Sequence, residues 1–467
     1  MNKNKLLLKY LIYDFIAAIL VWVLFIIFRK AVNDIPVFDI IQVLLPQSYY
    51  YTSLFLFPFY CIFIHYLTGF YLQTDKVNRI NMISGTLVSS VIISVSVFFI
   101  LKIRDVTISY QYFYYSLLVL FLFLFVVIYF FRSIIVTEIK MNYRTKKWTI
   151  NTLIIGTGNN AKKIATELER NEERNSLIGF VSINKKNSTT APEKILGNIN
   201  QIESFIKNYD IQEIIVALET DEEFQLFEII NSLFKYNIDI QFTPRLYEIL
   251  TGSARIKKIG ISPLVSVTDI TMSDWEASVK RFLDIIISLI SLLLLSPFLI
   301  YYMIRIKMDS KGPVFYKQER IGRYGKPFNI LKFRTMYLNS EKGMPKLSSE
   351  NDSRVTPIGK ILRKYRIDEI PQFWNILKGD MSLVGPRPER KFYIDQIIET
   401  APYYCLVYKI RPGLTSWGPI KIGYSDTIEK MIERLNYDII YMDNMSLLND
   451  LKILIYTIEI IFKGKGV

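Results

Sequence analysis

The sequence predicts a membrane protein in three parts. These are an N-terminal four-helix transmembrane bundle, an α/β domain, and a mixed α/β C-terminal domain with a re-entrant membrane helix. Three observations carry this. Four apolar runs of about 20 residues fill the first third of the chain, each able to cross a bilayer as a helix. At Trp148 the texture changes to short apolar runs alternating with amphipathic stretches. A fifth apolar run follows, with basic residues at both ends and Ser296-Pro297 in its middle.

The four runs give spans at about 7–28, 50–72, 82–101 and 112–131, within a bundle covering 1–147. The first lacks a small-residue cleavage site and more spans follow it, so it reads as a membrane helix and not as a cleaved leader. Lys3, Lys5 and Lys9 precede the bundle, and Arg132, Lys140, Arg144, Lys146 and Lys147 close it. Positive charge at both ends places both ends in the cytoplasm, as an even number of crossings requires. The 467 residues are 51% hydrophobic, with 57 Lys and Arg against 43 Asp and Glu, a net charge of +14. Such a surface suits anionic lipid or phosphorylated substrates, and nucleic acid is not an expected partner of a membrane-embedded chain. Cys61 and Cys405 lie far apart and imply no disulfide framework. The single histidine, His65, sits inside an apolar run and reads as a packed residue. Ser-His and Cys-His catalysis and histidine metal sites are thereby excluded.

Residues 148–262 read as a Rossmann-like α/β domain. "NTLIIGTGNNAKKIATELE" gives a buried strand, a glycine turn and a helix, and "IQEIIVAL" and "IDIQFTP" add strands around the helix "FQLFEIINSLFKY". Gly156, Gly158 and Ala161 match the G-x-G-x-x-A form of a dinucleotide turn. The acid expected about 20 residues later has no clear counterpart. Nucleotide binding and a plain tight turn both fit. A linker over 263–279 leads to the fifth run, 282–304. Lys280 and Arg281 precede it, and Arg305, Lys307 and Lys311 follow. Proline removes a backbone donor and breaks the helix, and a serine hydroxyl can satisfy the freed carbonyl. With basic flanks on both sides, the run reads as re-entrant; a proline-kinked full span is the alternative.

The C-terminal domain, 280–467, carries the charged motifs. In an extended "FNILKFRTM", residues 328, 330, 332 and 334 share a face, which presents Lys332 and Arg334 together to phosphate. A polar stretch, "NSEKGMPKLSSENDS", predicts a mobile loop. Then comes "LRKYRIDEIPQFWNILKGDMSLVGPRPE", Leu362 to Glu389. Asp368 fits the N-cap of a new helix, with Pro371 tolerated in its first turn. The positive helix end and the nearby Arg363 and Arg366 would favour its ionised form. An ionised carboxylate beside arginines suits covalent phosphoryl chemistry, and the adjacent Glu369 could help hold a divalent cation. Mg²⁺ is the natural choice, since one or two carboxylates plus phosphate oxygens suffice for it. A capped helix followed by a polar loop is the plainer alternative.

The motifs "KRFLDI…LLLSPF", "GPVFYKQERIG", "FNILKFRTM", "DSRVTPIGKILRKYRIDEIPQFWNILKGDMSLVGPRP", "RPGLT" and "LLNDLKIL" occur in this order over the last 188 residues, 280–467. This segment resembles the catalytic domain of the bacterial sugar transferases, the monotopic phosphoglycosyl transferases, and the whole chain resembles their long form. The resemblance implies transfer of a sugar 1-phosphate from a UDP-sugar to undecaprenyl phosphate at the cytoplasmic face of the bacterial inner membrane. UMP is released, and exopolysaccharide, capsule or O-antigen synthesis begins. It implies Asp368 as nucleophile, Glu369 with Mg²⁺, Arg363 at polyprenyl phosphate, and Pro386-Arg387-Pro388 at the uridine nucleotide. Ser296-Pro297 would be the re-entrant break, and a homodimer the candidate assembly. After "RPGLTSW" many members continue with a Gln-Val-Asn-Gly-Arg-like stretch, whereas this chain has "GPIKIGYSDT". A membrane-anchored nucleotide sensor with a degenerate C-terminal domain is a rival reading, against which the intact motifs count. An NAD(P)-dependent dehydratase or epimerase is another, and the chain lacks the Tyr-x-x-x-Lys pair it would need after the glycine turn.

Overall fold

The structure, a computed structural model, describes residues 3–31, 48–74, 79–104, 110–171, 174–183, 194–219, 225–236, 238–243, 264–267, 271–338, 340, 352–423 and 427–462. Two compact units emerge, 1–148 with 273–282, and 149–272 with 283–467.

The first unit contains α1 (Lys3–Ala31), α2 (Ser48–Leu67), α3 (Arg79–Arg104) and α4 (Tyr110–Arg144). Helices α1, α3 and α4 are long and apolar enough to cross a membrane, while the apolar part of α2, Thr52–Leu67, is shorter. Ala17 and Ala18 of α1 belong to a core with Cys61, Ile93, Leu124 and Ile128, small residues that let helices approach closely. Arg132 departs from its expected place among the cytoplasmic surface charges. It is fully buried, and its Nε and Nη2 donate to Asp14 at 2.9 and 2.7 Å, while Nη1 donates to Thr86 Oγ1 at 3.1 Å. Tyr71 OH donates to the same carboxylate at 2.7 Å. A charge in an apolar bundle persists only when paired, and Asp14 supplies the partner from α1. His65 is buried, as expected of a packed residue, and Cys61 and Cys405 are both buried and free.

The segment read as a linker, 263–279, is partly structured. Ser273 N–H donates to Glu276 Oε2 at 3.3 Å, the glutamate half of an S-x-x-E capping box, and Ser273 Oγ donates to the same oxygen at 2.6 Å, where α8 starts at Asp274.

In the second unit, β1 (Ile150–Ile155), β2 (Asn175–Ser182), β3 (Ile195–Asn198), β4 (Glu213–Val216), β5 (Asp239–Phe242) and β6 (Val265–Ser266) form one sheet in the order 3-2-1-4-5-6. It is parallel except for β6. Helices α5 (Asn159–Asn171), α6 (Ile202–Asn208) and α7 (Leu226–Leu233) connect the strands. The expected strands are present, and β6 comes from the predicted linker. Buried Leu153, Ile155, Ile214, Val216 and Ile240 form the centre of one core, which Cys405 joins from the C-terminal domain.

The fifth apolar run forms α8 (Asp274–Leu294) and α9 (Ser296–Asp309), bent by 61° at the break. Ser296 Oγ donates to Leu293 O at 2.8 Å, so the serine supplies the hydrogen bond that the broken helix needs. An angle of 61° is the geometry of a broken span or a re-entrant loop. Beyond it lie an antiparallel ribbon of β7 (Phe315–Ile321) and β8 (Pro327–Phe333), then α10 (Pro357–Lys364), α11 (Gln372–Lys378), β9 (Ser382–Val384), α12 (Lys391–Thr400), β10 (Gly413–Thr415), α13 (Trp417–Lys421), α14 (Ile428–Asp443) and α15 (Leu447–Phe462). The polar stretch expected to be a mobile loop lies outside the described residues except for 340, 352 and 353.

Candidate active site

A small core joins the broken helix to the charged motifs. Ile306 of α9, Phe333 of β8, and Ile358 and Leu362 of α10 pack together. Thr356 caps α10 by accepting the Gly359 N–H at 3.1 Å, with Pro357 in the first turn. A Cβ at Gly359 would lie 2.2 Å from Thr335 O, so only glycine lets α10 seat this closely on the end of β8. Asn375 of α11 ties that helix to the outer edge of β8, accepting Leu331 N–H at 2.9 Å and donating to Asn329 O at 2.8 Å. Asp284 of α8 accepts Leu383 N–H at 3.0 Å and holds β9 to the broken helix. These ties bring Lys332, Arg363, Asp368 and Arg387, far apart in the chain, around one cavity of about 980 Å³.

Asp368 and Glu369 lie together in a 3-10 turn, Ile367–Glu369, both buried. Arg366, which starts the turn, is in the left-handed region at φ 54°, a strained conformation for arginine. Lys332 Nζ donates to Glu369 Oε1 at 2.8 Å; Arg387 Nη2 lies 3.7 Å from that oxygen, and Arg366 Nη1 lies 3.6 Å from Oε2. Arg363 Nε donates to Thr335 Oγ1 at 2.9 Å and lines the cavity. Burial disfavours the Glu369 carboxylate, but Lys332, Arg387 and Arg366 outweigh it and hold the group well below its ordinary range. Asp368 goes the other way. Burial pushes its carboxyl up to about 6, with the Glu369 charge adding to the rise and Lys332, Arg363 and Arg366 opposing it. The two adjacent acids thus have different acidities, as pairs that divide a reaction between them do.

One expectation is corrected here. Asp368 is not a helix N-cap: the N-cap of α11 is Pro371, and the acid sits one turn earlier, where burial outweighs any help to ionisation. Arg334 lines the same cavity as Lys332, and its guanidinium also donates to Lys311 O, Ser310 O and Ser310 Oγ at 3.0, 2.7 and 2.9 Å. It closes the C-terminal end of α9. Ser296 and Pro297 stand at the bend, away from the dyad in sequence and joined to it only through the packing of α9.

Pro386, Arg387 and Pro388 follow β9, with Arg387 turned to the dyad. Behind them lie residues that the sequence alone did not single out. Glu389 is buried in ion pairs with Arg434 and with Arg320, whose Nη1 lies at 3.3 Å. Asp438 Oδ2 accepts the Arg387 N–H at 3.2 Å. Burial pushes the Asp438 carboxyl up to about 6 against the pull of Arg434. Glu389 and Arg320 stand inside the quoted motifs, whereas Asp438 and Arg434 look like ordinary charges on a helix. Of the atypical stretch after Trp417, Pro419 through Gly423 line the cavity, and residues 424–426 lie outside the described residues.

The glycine turn in the sheet domain is built differently. Gly156 has φ +121°, and a Cβ there would lie 2.2 Å from Ala217 O. A Cβ at Gly158 would lie 2.3 Å from Glu219 Oε1, and that same oxygen accepts the Asn160 N–H at 2.9 Å. The carboxylate of Glu219 therefore occupies the start of α5, at the point where the strand order reverses.

A family model described as bacterial sugar transferase matches residues 275–464, and one described as CoA-binding domain matches residues 51–244. The UDP-N-acetylgalactosamine-undecaprenyl-phosphate N-acetylgalactosaminephosphotransferase of Aeromonas hydrophila is 37% identical over 49% of this chain and 54% of its own length. The UDP-glucose:undecaprenyl-phosphate glucose-1-phosphate transferase of Klebsiella pneumoniae is 34% identical over 58% of each chain. The transferase of the same description from Caulobacter vibrioides is 40% identical over 38% of this chain and 68% of its own length. The alignment thus spans a little over half the length of the first two relatives. With the ordered motifs and the site they build, these matches show that the chain belongs to the bacterial sugar transferase family.

Proposed function

We propose that this chain transfers a sugar 1-phosphate from a UDP-sugar to undecaprenyl phosphate, releasing UMP. The observation that carries the reading is the buried Asp368-Glu369 pair, ringed by Lys332, Arg363, Arg366 and Arg387 on one wall of a cavity large enough for a nucleotide sugar. The Asp368 carboxylate attacks the β-phosphorus, forming an acyl-phosphate bond as the bond to the UMP oxygen breaks. An oxygen of undecaprenyl phosphate then attacks the same phosphorus. The bond to Asp368 breaks, the carboxylate is restored, and a lipid diphosphosugar leaves. Arg387 steadies the departing nucleotide, and Arg363 gathers the lipid phosphate.

Asp368 and Glu369 would hold Mg²⁺. The residues fit it: Asp368 makes no hydrogen bond among the described residues, and Oε2 of Glu369 faces only Arg366, at 3.6 Å. When bound, the ion would neutralise charge on the transferring phosphoryl group.

The relatives' names and the basic flanks support a bacterial inner-membrane protein with four N-terminal spans. The basic residues on both sides of the bend at Ser296-Pro297 support a re-entrant helix that leaves the C-terminal domain in the cytoplasm, the bend itself fitting a broken span equally. CoA does not fit the glycine turn, because Glu219 holds the place its diphosphate would take. We assign the sheet domain a supporting role at that turn and not a cofactor.

Incubation of the purified protein with a panel of UDP-sugars, undecaprenyl phosphate and Mg²⁺ tests the reading. UMP and a lipid diphosphosugar are expected from at least one sugar. Release of UDP would mean an ordinary glycosyltransferase.

A further inference from the structure

The turn that carries Arg387 is held at four successive residues, by partners on three elements, β7, β10 and α14. Gly413 N–H donates to Pro386 O at 2.9 Å, from the neighbouring strand β10. Asp438 Oδ2 accepts the Arg387 N–H at 3.2 Å. Arg320 Nη1, from β7, donates to Pro388 O at 3.0 Å. Glu389 pairs with Arg434 and Arg320, and its carbonyl accepts Ile321 N–H at 3.1 Å. Two of these anchors stand one helical turn apart on a single face of α14, since Arg434 and Asp438 are spaced i, i+4. Both are buried, at 7% and 4% exposure, and Arg434 leaves so little space that a Cβ at Gly418 would lie 2.1 Å from its Cγ. Arg320, Glu389 and Arg434 line the cavity themselves, whereas Asp438 does not, so its influence on a bound substrate passes through Arg387.

We infer that Asp438 is a positioning residue, which together with the Glu389–Arg434 pair holds Arg387 against the dyad and thereby sets the affinity for the nucleotide. This rests on the reading of Arg387 as the nucleotide contact. The physical basis is that a rigid cation loses little entropy when it meets a phosphate, whereas a free loop must be ordered on binding. A solvated helix charge would have no reason to be buried, nor to spend a carboxylate oxygen on one particular backbone N–H.

The test is equilibrium binding of UDP to the full chain in lipid nanodiscs at pH 8, above the range where the buried carboxyls titrate. Asp438→Asn is expected to weaken UDP binding about tenfold. Arg387→Ala should weaken it at least as much, and the double variant should lose less than about twofold beyond Arg387→Ala, because both act through one side chain. In turnover, KM for the UDP-sugar should rise while KM for undecaprenyl phosphate stays. Binding of wild-type strength by Asp438→Asn, or losses that simply add, would overturn the inference. If Asp438→Asn fails to fold, Arg434→Lys keeps the charge but loses the fork. It should retain the thermal midpoint and bind UDP several-fold more weakly, and unchanged binding would overturn the inference equally. Release of UDP by a wild type that binds UDP would sink the reaction but leave the positioning role standing; failure of the wild type to bind UDP would sink both.

Discussion

Two turns in the second unit stand just before a helix, and each could in principle receive an anion. At the dyad, the 3-10 turn Ile367–Glu369 presents two acids, and the surrounding elements answer with Lys332, Arg363, Arg366 and Arg387. At the glycine turn, Gly156 and Gly158 clear the space that a phosphate would use, and the chain fills it with Glu219. The first place has more cations than its own acids need, so phosphate can be drawn in. The second has its charge already balanced from within. The difference teaches that a motif's backbone geometry does not make a site; an excess of cations over acids beside it does.

The largest effect should separate the two turns outright. Asp368→Asn should reduce UMP release by more than about a thousandfold, as loss of a covalent nucleophile does. Glu219→Gln should leave turnover within about twofold. Comparable losses in the two variants would break the comparison, because the sheet domain would then take part in the chemistry.

Next in size is the charge around the dyad. Asp368 must be ionised to attack, and its carboxyl is pushed up to about 6. The rate should therefore be full near pH 7.5 and fall as pH drops through about 6. Lys332 makes both acids stronger, so Lys332→Met should move that fall to higher pH and cut kcat by about tenfold or more. A pH profile identical to the wild type's would show that Lys332 does not act on the dyad.

A stability measurement comes third. Gly156 needs both a positive φ and the absence of a side chain, so Gly156→Ala should destabilise the sheet domain by about 2 kcal/mol or more in thermal or denaturant unfolding. An unchanged unfolding midpoint would mean that the turn relaxes more easily than its packing against Ala217 indicates.

Much of this was legible in the sequence because it is local. Apolar runs, strand-turn-helix spacing and the Ser296-Pro297 break each declare themselves within a few residues. The resemblance located the dyad and the proline-framed arginine. What was hidden depends on distant partners. Arg132 looked like a surface charge because Asp14 lies 118 residues away, and Glu219 gave no sign that it lies over Gly158. Asp438 had the look of any charge on a helix. Arg334 lines the cavity beside Lys332, but its hold on the carbonyl end of α9 depends on partners more than 20 residues away. The capping box at Ser273 was readable, and its S-x-x-E spacing marks a helix start inside the stretch taken as a linker.

The smallest expected effect sharpens the comparison most. The Glu219 carboxylate accepts the backbone and side-chain N–H groups of Asn160 in the first turn of α5, on a half-buried surface, so Glu219→Gln should lower stability by no more than about 1 kcal/mol. The same substitution removes the internal negative charge without opening the space, since glutamine keeps the shape of the side chain. Neither the wild type nor Glu219→Gln should therefore bind CoA at millimolar concentration. Glu219→Ala removes charge and volume together and uncovers the donors at the start of α5. If that variant alone gains weak CoA binding, the turn is a phosphate site closed by its own side chain. Saturable CoA binding by the wild type would show that Glu219 swings away, and the contrast with the dyad would then be one of degree.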